Sequence, residues 1–460
     1  MTERVDIRMG EGTEDVHSVV RAIQSMLEGG SETDLLAYVG GIHPSDMADI
    51  VEHLEDDERL RLLKLLPAED AADALAEMEE EEHPEVLLVQ MEPERIAEVV
   101  HELADDDAAD LIGELEPEEQ ARVLESVPDD EEREIRELLH YPEDSAGGIM
   151  TRELLAVPYG ALVGEALGVV REKGRDISEF FTIFVTDPGG RLKGVVSLQQ
   201  MVLASSDQPL AELVEDPSAS VPVDMDQEEV GRILSRYNLA SIGVVDPLGR
   251  LVGRVTFDDV IDVVEAESTE DILRFASVSE EEELRGSTAD AVRSRLPWLT
   301  INFVTLSLAA LIVWFYRETI EQAAILAAVM PVIAGLGGNA GTQALAVTVR
   351  RIAVADESLS ERWTVVGKEL LVGLINGAAI GLVVATAGFL IPGTHPLFGL
   401  VVMIAMWGNL VIASTAGAFF PILLESLGID PAIASSVFVT TLTDFFGFFL
   451  LLALASQVLV

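Results

Sequence analysis

Hydrophobic and polar positions change rhythm twice along the 460-residue chain. From about Val16 to His140 the pattern is helical and repeats. Prolines at 44, 67, 93 and 117 are each followed four residues on by alanine (Ala48, Ala71, Ala97, Ala121). An apolar pair then follows: Ile50/Val51, Ala74/Leu75, Val99/Val100, Val123/Leu124. Proline in the first turn ahead of an i, i+3, i+4 apolar stripe is a helix start. A spacing of roughly 25 residues predicts stacked helical hairpins in a small solenoid, in preference to a plain helical bundle. From about residue 150 to 268 short β-branched runs take over, in two copies: FTIFVTDPGGRLKGVVSLQQMV and ASIGVVDPLGRLVGRVTFDDVI. Asp187/Asp246, Gly194/Gly253 and Ser197/Thr256 correspond at a constant offset of 59. Each copy reads strand, Asp-Pro-x-Gly turn, strand, helix. The last third holds five apolar runs, at roughly 296–316, 322–349, 364–391, 397–424 and 431–460, each near or above the ~20 residues that cross a bilayer. Between the second copy and the first run, EEEELRGSTADAVRSR (279–294) predicts a charged connecting helix.

Charge divides the chain at the same place. Of 81 acids and 29 bases, 72 acids and 23 bases precede Arg295. Such an acid load excludes nucleic acid as a partner, because phosphate backbones are met with Lys and Arg, and it favours cations. With lysine only at 64, 173, 193 and 368, the acidic surface also suits a concentrated-salt cytoplasm that screens self-repulsion. Most single Asp and Glu residues then serve solvation. The absence of cysteine removes disulfides and thiolate chemistry, and the first residues lack the apolar core of a signal peptide. Arg293, Arg295, Arg350, Arg351, Arg362 and Lys368 flank one side of the runs and Arg317 the other. The positive-inside rule places the N-terminal domains in the cytoplasm and the C-terminus outside.

Two polar interruptions of the apolar runs carry the candidate chemistry. Pro331–Gln343 reads PVIAGLGGNAGTQ, with four glycines that each cost a soluble helix about 1 kcal/mol relative to alanine. In a membrane they permit close packing and an unwound turn. Asn339 and Gln343 lie four apart and share a helix face. Asp444 interrupts VFVTTLTDFFGFFLLLALA, and an intramembrane carboxylate is a functional-site hypothesis by default. Asp444 is the leading ion ligand. Asn339 is a pore ligand or a helix-helix bond. Thr440, Thr441 and Thr443 either line the path or bond back to their own helix. Asp430 in GIDPAIAS is an N-cap ahead of Pro431 and also a candidate ligand.

The two copies resemble a tandem pair of CBS domains. The acidic repeat, this pair, the connecting helix and five spans with PxxxGxGGNxGxQ in the second together resemble the MgtE family of magnesium channels. YPEDSAGGIMT (Tyr141–Thr151) and DVVEAESTEDI (Asp262–Ile272) share the likeness, which covers nearly the whole chain. The expected architecture is multidomain. It comprises an all-α acidic helical repeat over 1–148, an α/β tandem CBS pair over 149–276, a connecting helix over 277–294 and a five-helix transmembrane α domain over 295–460. The resemblance implies a homodimer with the pore between the two membrane domains, embedded in lipid and closed by cytosolic magnesium. It places Asp430 near the inner mouth. Regulatory ligands are implied at Asp106 and Asp110, four apart in DDAADL, and at Asp226, Glu228, Asp259, Asp262, Glu267, Glu270 and Asp271. Asn238 stands where the family pattern has an acid. CBS pairs often bind adenine nucleotides, so ATP is a candidate ligand there, although the glycine turns do not establish it.

Magnesium takes six oxygens and dehydrates reluctantly, so one or two carboxylates with retained waters suit it. In a twofold dimer with the pore on its axis, one Asp444 per subunit supplies two facing carboxylates. A carboxylate site alone does not exclude Co²⁺ or Mn²⁺, which bind such ligands more tightly. A CBS-regulated membrane enzyme is the remaining alternative. Against it, the membrane part has one histidine (His395) and no cysteine, and it carries no G-x-S-x-G or H-E-x-x-H signature. No catalytic role is expected.

Overall fold

The computed structural model describes residues 13–79, 82–175, 177, 180–215, 220–276, 278, 288–354, 359–391, 394–429 and 435–460. The chain forms two compact units, 1–267 and 268–460.

Short helices open the first unit: α1 (Thr13–Gly29), α2 (Glu32–Val39), α3 (Pro44–Glu52), α4 (Asp56–Leu65), α5 (Ala68–Ala76), α6 (Pro84–Val89), α7 (Pro93–Glu102), α8 (Asp105–Gly113), α9 (Pro117–Leu124) and α10 (Asp129–Leu138). Pro44, Pro93 and Pro117 open their helices and Pro67 caps α5. At these positions the missing N–H has no intrahelical partner to lose. Helix α3 packs on α5, α5 on α7 and α7 on α9, while α6 packs on α8 and α8 on α10. That alternation is a stack of hairpins in two layers. All eight residues of the repeated apolar pairs are buried, so the hairpins are held by one continuous core.

Two copies of a strand–helix–hairpin–helix unit follow. The first is β1 (Ala156–Pro158), α11 (Val163–Lys173), β2 (Thr182–Thr186), β3 (Leu192–Ser197) and α12 (Leu198–Leu203). The second is β4 (Ser220–Pro222), α13 (Gln227–Tyr237), β5 (Ser241–Val245), β6 (Leu251–Thr256) and α14 (Phe257–Phe275). In each sheet the leading strand pairs parallel with the next, which pairs antiparallel with the third. The leading strand and its helix extend the motif beyond the strand–turn–strand–helix expected from the repeat. Asp187 Oδ1 accepts from the amides of Gly189 and Arg191 at 2.9 and 3.0 Å, and Asp246 Oδ1 from those of Leu248 and Arg250 at 2.8 and 2.9 Å. Each hairpin turn is therefore tied by its own aspartate, and Gly190 and Gly249 supply the positive φ that the turn needs. The copies join through reciprocal bonds, Leu192 N–H to Gly249 O at 3.1 Å and Leu251 N–H to Gly190 O at 3.0 Å.

The second unit contains α15 (Thr288–Phe315), α16 (Arg317–Gln322), α17 (Ile325–Val354), α18 (Leu359–Leu390), α19 (Phe398–Ser426) and α20 (Ser435–Val458). Among the described residues five stretches are long and apolar enough to cross a membrane: Ala291–Phe315, Ile325–Ile352, Glu361–Leu390, Phe398–Ser426 and Val437–Val458. Of the expected connecting helix, 288–294 forms the first turns of α15 and 279–287 lies outside the described residues. Helix α19 packs against α17, α18 and α20, and α15 packs on α20. Close approach comes from glycine. A Cβ on Gly373 or Gly377 of α18 would meet Leu410 O at 3.0 Å or Trp407 Cδ1 at 2.8 Å, and Trp407 Nε1 donates to Leu374 O at 3.1 Å. Arg362 and Glu425 form an ion pair between the first turns of α18 and the last of α19.

Candidate functional site

In the membrane unit the glycine motif sits on α17, which stays α-helical from Ile325 to Val354. The expected unwound turn is absent because the ladder continues through all four glycines. Those glycines divide by face. A Cβ on Gly337 would stand 2.3 Å from Asn409 Nδ2 and 3.3 Å from Thr443 Cβ, and one on Gly341 would stand 2.3 Å from Val439 Cγ1. These two let α17 lie against α19 and α20. Gly335 and Gly338 have nothing within 4 Å of an added Cβ, so of the four glycines expected to permit close packing, Gly337 and Gly341 do so toward α19 and α20. Gly335, Asn339, Thr342, Gln343 and Ala346 are exposed on the opposite face and Gly338 is half-buried there. Between Val332 and Val347, which are exposed at its two ends, this outward stripe is small and polar.

Asp444 lies on α20, half-buried, immediately after the fully buried Thr443. Thr441 Oγ1 donates to Val437 O at 2.7 Å and Thr443 Oγ1 to Thr440 O at 2.9 Å. Those two hydroxyls serve their own helix, as Ser and Thr commonly do in apolar helices. Asp430 lies outside the described residues. Two further polar side chains escaped the sequence reading. Asn409 is fully buried on α19, and Glu369 is 7 % exposed on α18, in the same row as Gly373 and Gly377. Each is a polar residue within an apolar run, the signal that marked Asp444.

In the first unit a group of carboxylates gathers where the helical stack meets the second strand copy. Asp105 Oδ1 accepts from Thr151 Oγ1 at 2.6 Å, and both its oxygens accept from the Arg152 amide at 3.1 Å. The segment Tyr141–Thr151 is strapped to that copy by Ala146 N–H to Met225 O at 2.6 Å and by a two-way bond between Thr151 and Arg254. Asp106, next on α8, is 8 % exposed, and its Oδ1 finds no hydrogen-bond partner among the described residues. Burial pushes its carboxyl well above the ordinary aspartate range, and the charges of Asp107, Asp259 and Asp105 add to the shift. Asp107 is raised to about 7, first by burial and then by Asp259, Glu77, Asp105 and Asp258. Asp259 is raised by burial, against hydrogen bonds from Thr256. Asp262 is raised by burial and then by Asp259 and Glu77. One negative field thus unites Asp106, Asp259 and Asp262 with Asp105, Asp107, Glu77 and Asp258, which the sequence reading did not select.

The other expected ligands are placed elsewhere or used locally. Asp110 is exposed although it shares the α8 face of Asp106. Asp226 caps α13, accepting from the amides of Glu228 at 3.0 Å and Glu229 at 3.3 Å, and Glu228 lies 4.0 Å from Arg232. Asn238 takes a left-handed conformation that ends α13, a backbone role for which asparagine is well suited. Glu267 accepts from Gln227 Nε2 at 2.9 Å, Glu270 pairs with Arg274, and the Asp271 side chain lies outside the described residues. Among the described residues no three carboxylates or histidines are close enough to enclose a metal ion. The acids form a shared field and not a closed chelate.

Residues 330–454 match the family model of divalent cation transporters, 42–144 that of the MgtE intracellular N domain, and 146–207 and 210–266 that of CBS domains. The magnesium transporter MgtE of Thermus thermophilus is 36 % identical over 95 % of this chain and 98 % of its own length. The chain belongs to the MgtE family. The magnesium transporter MgtE of Enterococcus faecalis is 37 % identical over 88 % of this chain and 89 % of its own. Among solved structures, the cytosolic domain of the Mg²⁺ channel MgtE in complex with ATP has a TM-score of 0.51 at 35 % identity, over 53 % of this chain and 99 % of that one. The soluble part of a magnesium transporter also gives 0.51, at 27 % identity over 55 % and 99 %. The MgtE order of parts, helical N domain, CBS pair and a five-helix membrane region, is therefore the order of this chain, a multi-pass membrane protein.

Proposed function

We propose that the chain is a magnesium channel whose acidic cytosolic part closes it when magnesium is plentiful. The observation that carries the reading is the outward face of α17. Lipid-facing surfaces are large and apolar, like the exposed Leu299, Phe303, Leu371, Ile375 and Leu382 of α15 and α18. The stripe of Gly335, Gly338, Asn339, Thr342 and Gln343 suits a hydrated path between two copies of the chain. Asp444 on the adjoining helix supplies the carboxylate, and two copies supply two, which matches the demand of a partly hydrated magnesium ion. The arginine bias supports a cytoplasmic first unit and loop before α18, with the C-terminus outside. The names of the relatives support magnesium over Co²⁺ or Mn²⁺.

Regulation follows from the acidic field. Carboxylates held close together repel until divalent ions neutralise them, so magnesium favours whichever arrangement brings them together. Asp106, Asp259 and Asp262 are the ligands best placed for this. The division into 1–148, 149–276, 277–294 and 295–460 gives each step its own part of the chain. ATP is a candidate ligand of the CBS pair, supported by the ATP complex of a relative. The test is magnesium flux into liposomes carrying the full chain. Asp444→Asn keeps the shape and removes the charge, and it should abolish flux while the protein stays folded. Normal flux in Asp444→Asn would sink the reading.

A further inference from the structure

A single buried amide joins three helices beside the proposed path. Asn409 on α19 is fully buried, and its Nδ2 donates to the carbonyl oxygen of Ile333 on α17 at 3.0 Å. That carbonyl, in a regular helix, already accepts the amide of Gly337. The same Nδ2 lies 2.3 Å from the place of a Cβ on Gly337 and 2.9 Å from that of a Cβ on Gly447 of α20. Two glycines, one on each neighbouring helix, leave the room that the amide fills. Asn409 Oδ1 has no hydrogen-bond partner among the described residues, and an unsatisfied buried oxygen destabilises a fold. A leucine would fill the space without that penalty, so packing alone does not account for the asparagine.

What the amide adds is direction. Apolar contacts let two helices slide past each other, whereas a hydrogen bond holds only over a narrow range of distance and angle. Gly337 is two residues before Asn339, and Gly447 is three residues after Asp444. We propose that Asn409 is a positioning residue: its bond from α19 to the Ile333 carbonyl, with Gly337 and Gly447 packed on the same amide, fixes the register of α17 against α19, the helix on which α20 also packs. It thereby sets the height of Asn339 relative to Asp444. The role is defined on the ion path proposed above and rests on it.

The experiment uses the full chain in liposomes, with flux per folded protein and the ratio of Mg²⁺ to Co²⁺ flux as readouts. Gly337→Ala should lower magnesium flux about tenfold because its Cβ meets the Asn409 amide, and adding Asn409→Ala should restore most of that loss, the non-additivity expected of residues in contact. Asn409→Leu keeps the volume and removes the donor. It should remain folded and conduct, with the Mg²⁺ to Co²⁺ ratio changed by about tenfold, within the range of such coupling. Failure of the double substitution to recover, or a wild-type ratio in Asn409→Leu, would overturn the proposal. If Asn409→Leu does not fold, Asn409→Ala, which also lacks the donor, is read for the same change in the Mg²⁺ to Co²⁺ ratio, and a wild-type ratio there overturns the proposal. Asp444→Asn is run beside them. Retained flux there removes the ion path itself, whereas the coupling between Gly337 and Asn409 is still read from thermal unfolding.

Discussion

Glycines that look alike in PVIAGLGGNAGTQ differ sharply in what surrounds them. Gly341 faces Val439 at a distance where a Cβ would need 2.3 Å, while Gly338 faces open space. Gly341→Val should therefore destabilise the membrane unit by about 1–3 kcal/mol, as overpacking does, and reduce the yield of folded protein. Gly338→Ala should fold as well as the parent. Thermal unfolding in detergent distinguishes the two, and equal losses would mean that the face assignment of α17 is wrong. Asn339→Ala should leave flux in place and shift ion preference, measured as Mg²⁺ against Co²⁺ entry. Unchanged preference would reduce Asn339 to a structural residue. At this scale the sequence marked Asp444 and Asn339 because each is polar within an apolar run. It did not tell Gly337 from Gly338, because a helix apolar on most sides carries no periodic signal to say which face is buried. Asn409 was visible by the rule that found Asp444, yet its role depends on Ile333, which lies 76 residues away.

Helices α8 and α14 bring Asp106, Asp107, Asp259 and Asp262 into one field, and each carboxyl is raised above its ordinary value with burial as the leading cause. A carboxyl raised in the folded state binds protons there that the unfolded chain has released. Its stabilising contribution is then complete below the unfolded value, near 3.9 for aspartate, and lost as pH rises through the folded value. For Asp107 that window closes at about 7. Without divalent cations, the first unit of the full chain should resist protease better at pH 5.5 than at pH 8. Asp106→Asn should flatten that difference and also weaken the further protection given by magnesium. An unchanged pH dependence in Asp106→Asn would exclude this cluster as its source. The elements themselves were largely legible. The proline phase located α3, α5, α7 and α9, and the offset of 59 located both hairpins, because both signals are local. The leading strands β1 and β4 were not legible. They are three residues long and end in proline, and they exist through parallel pairing with distant partners.

Across the whole molecule, charge and hydropathy divide the work between an acidic stretch before Arg295, with 72 acids and 23 bases, and an apolar stretch after it with few of either. Deleting residues 1–140 should leave conduction intact and loosen its closure, seen as flux that persists when cytosolic magnesium is high. Closure lost together with all flux would mean that the deleted part is needed to build the path. Salt complicates gating by an acidic surface, since exposed charges are screened over about 3 Å near 1 M ionic strength. Direct contact between carboxylates and magnesium survives such screening, and general repulsion does not. The most direct measurement is therefore magnesium entry into liposomes bearing the full chain, with magnesium on the cytosolic face varied at constant ionic strength set by potassium. Magnesium should enter when that face is depleted, and entry should fall as cytosolic magnesium reaches roughly millimolar levels, the range of weak carboxylate sites. No magnesium entry under any condition, or closure that potassium reproduces at equal ionic strength, would contradict a magnesium channel gated by its own ion.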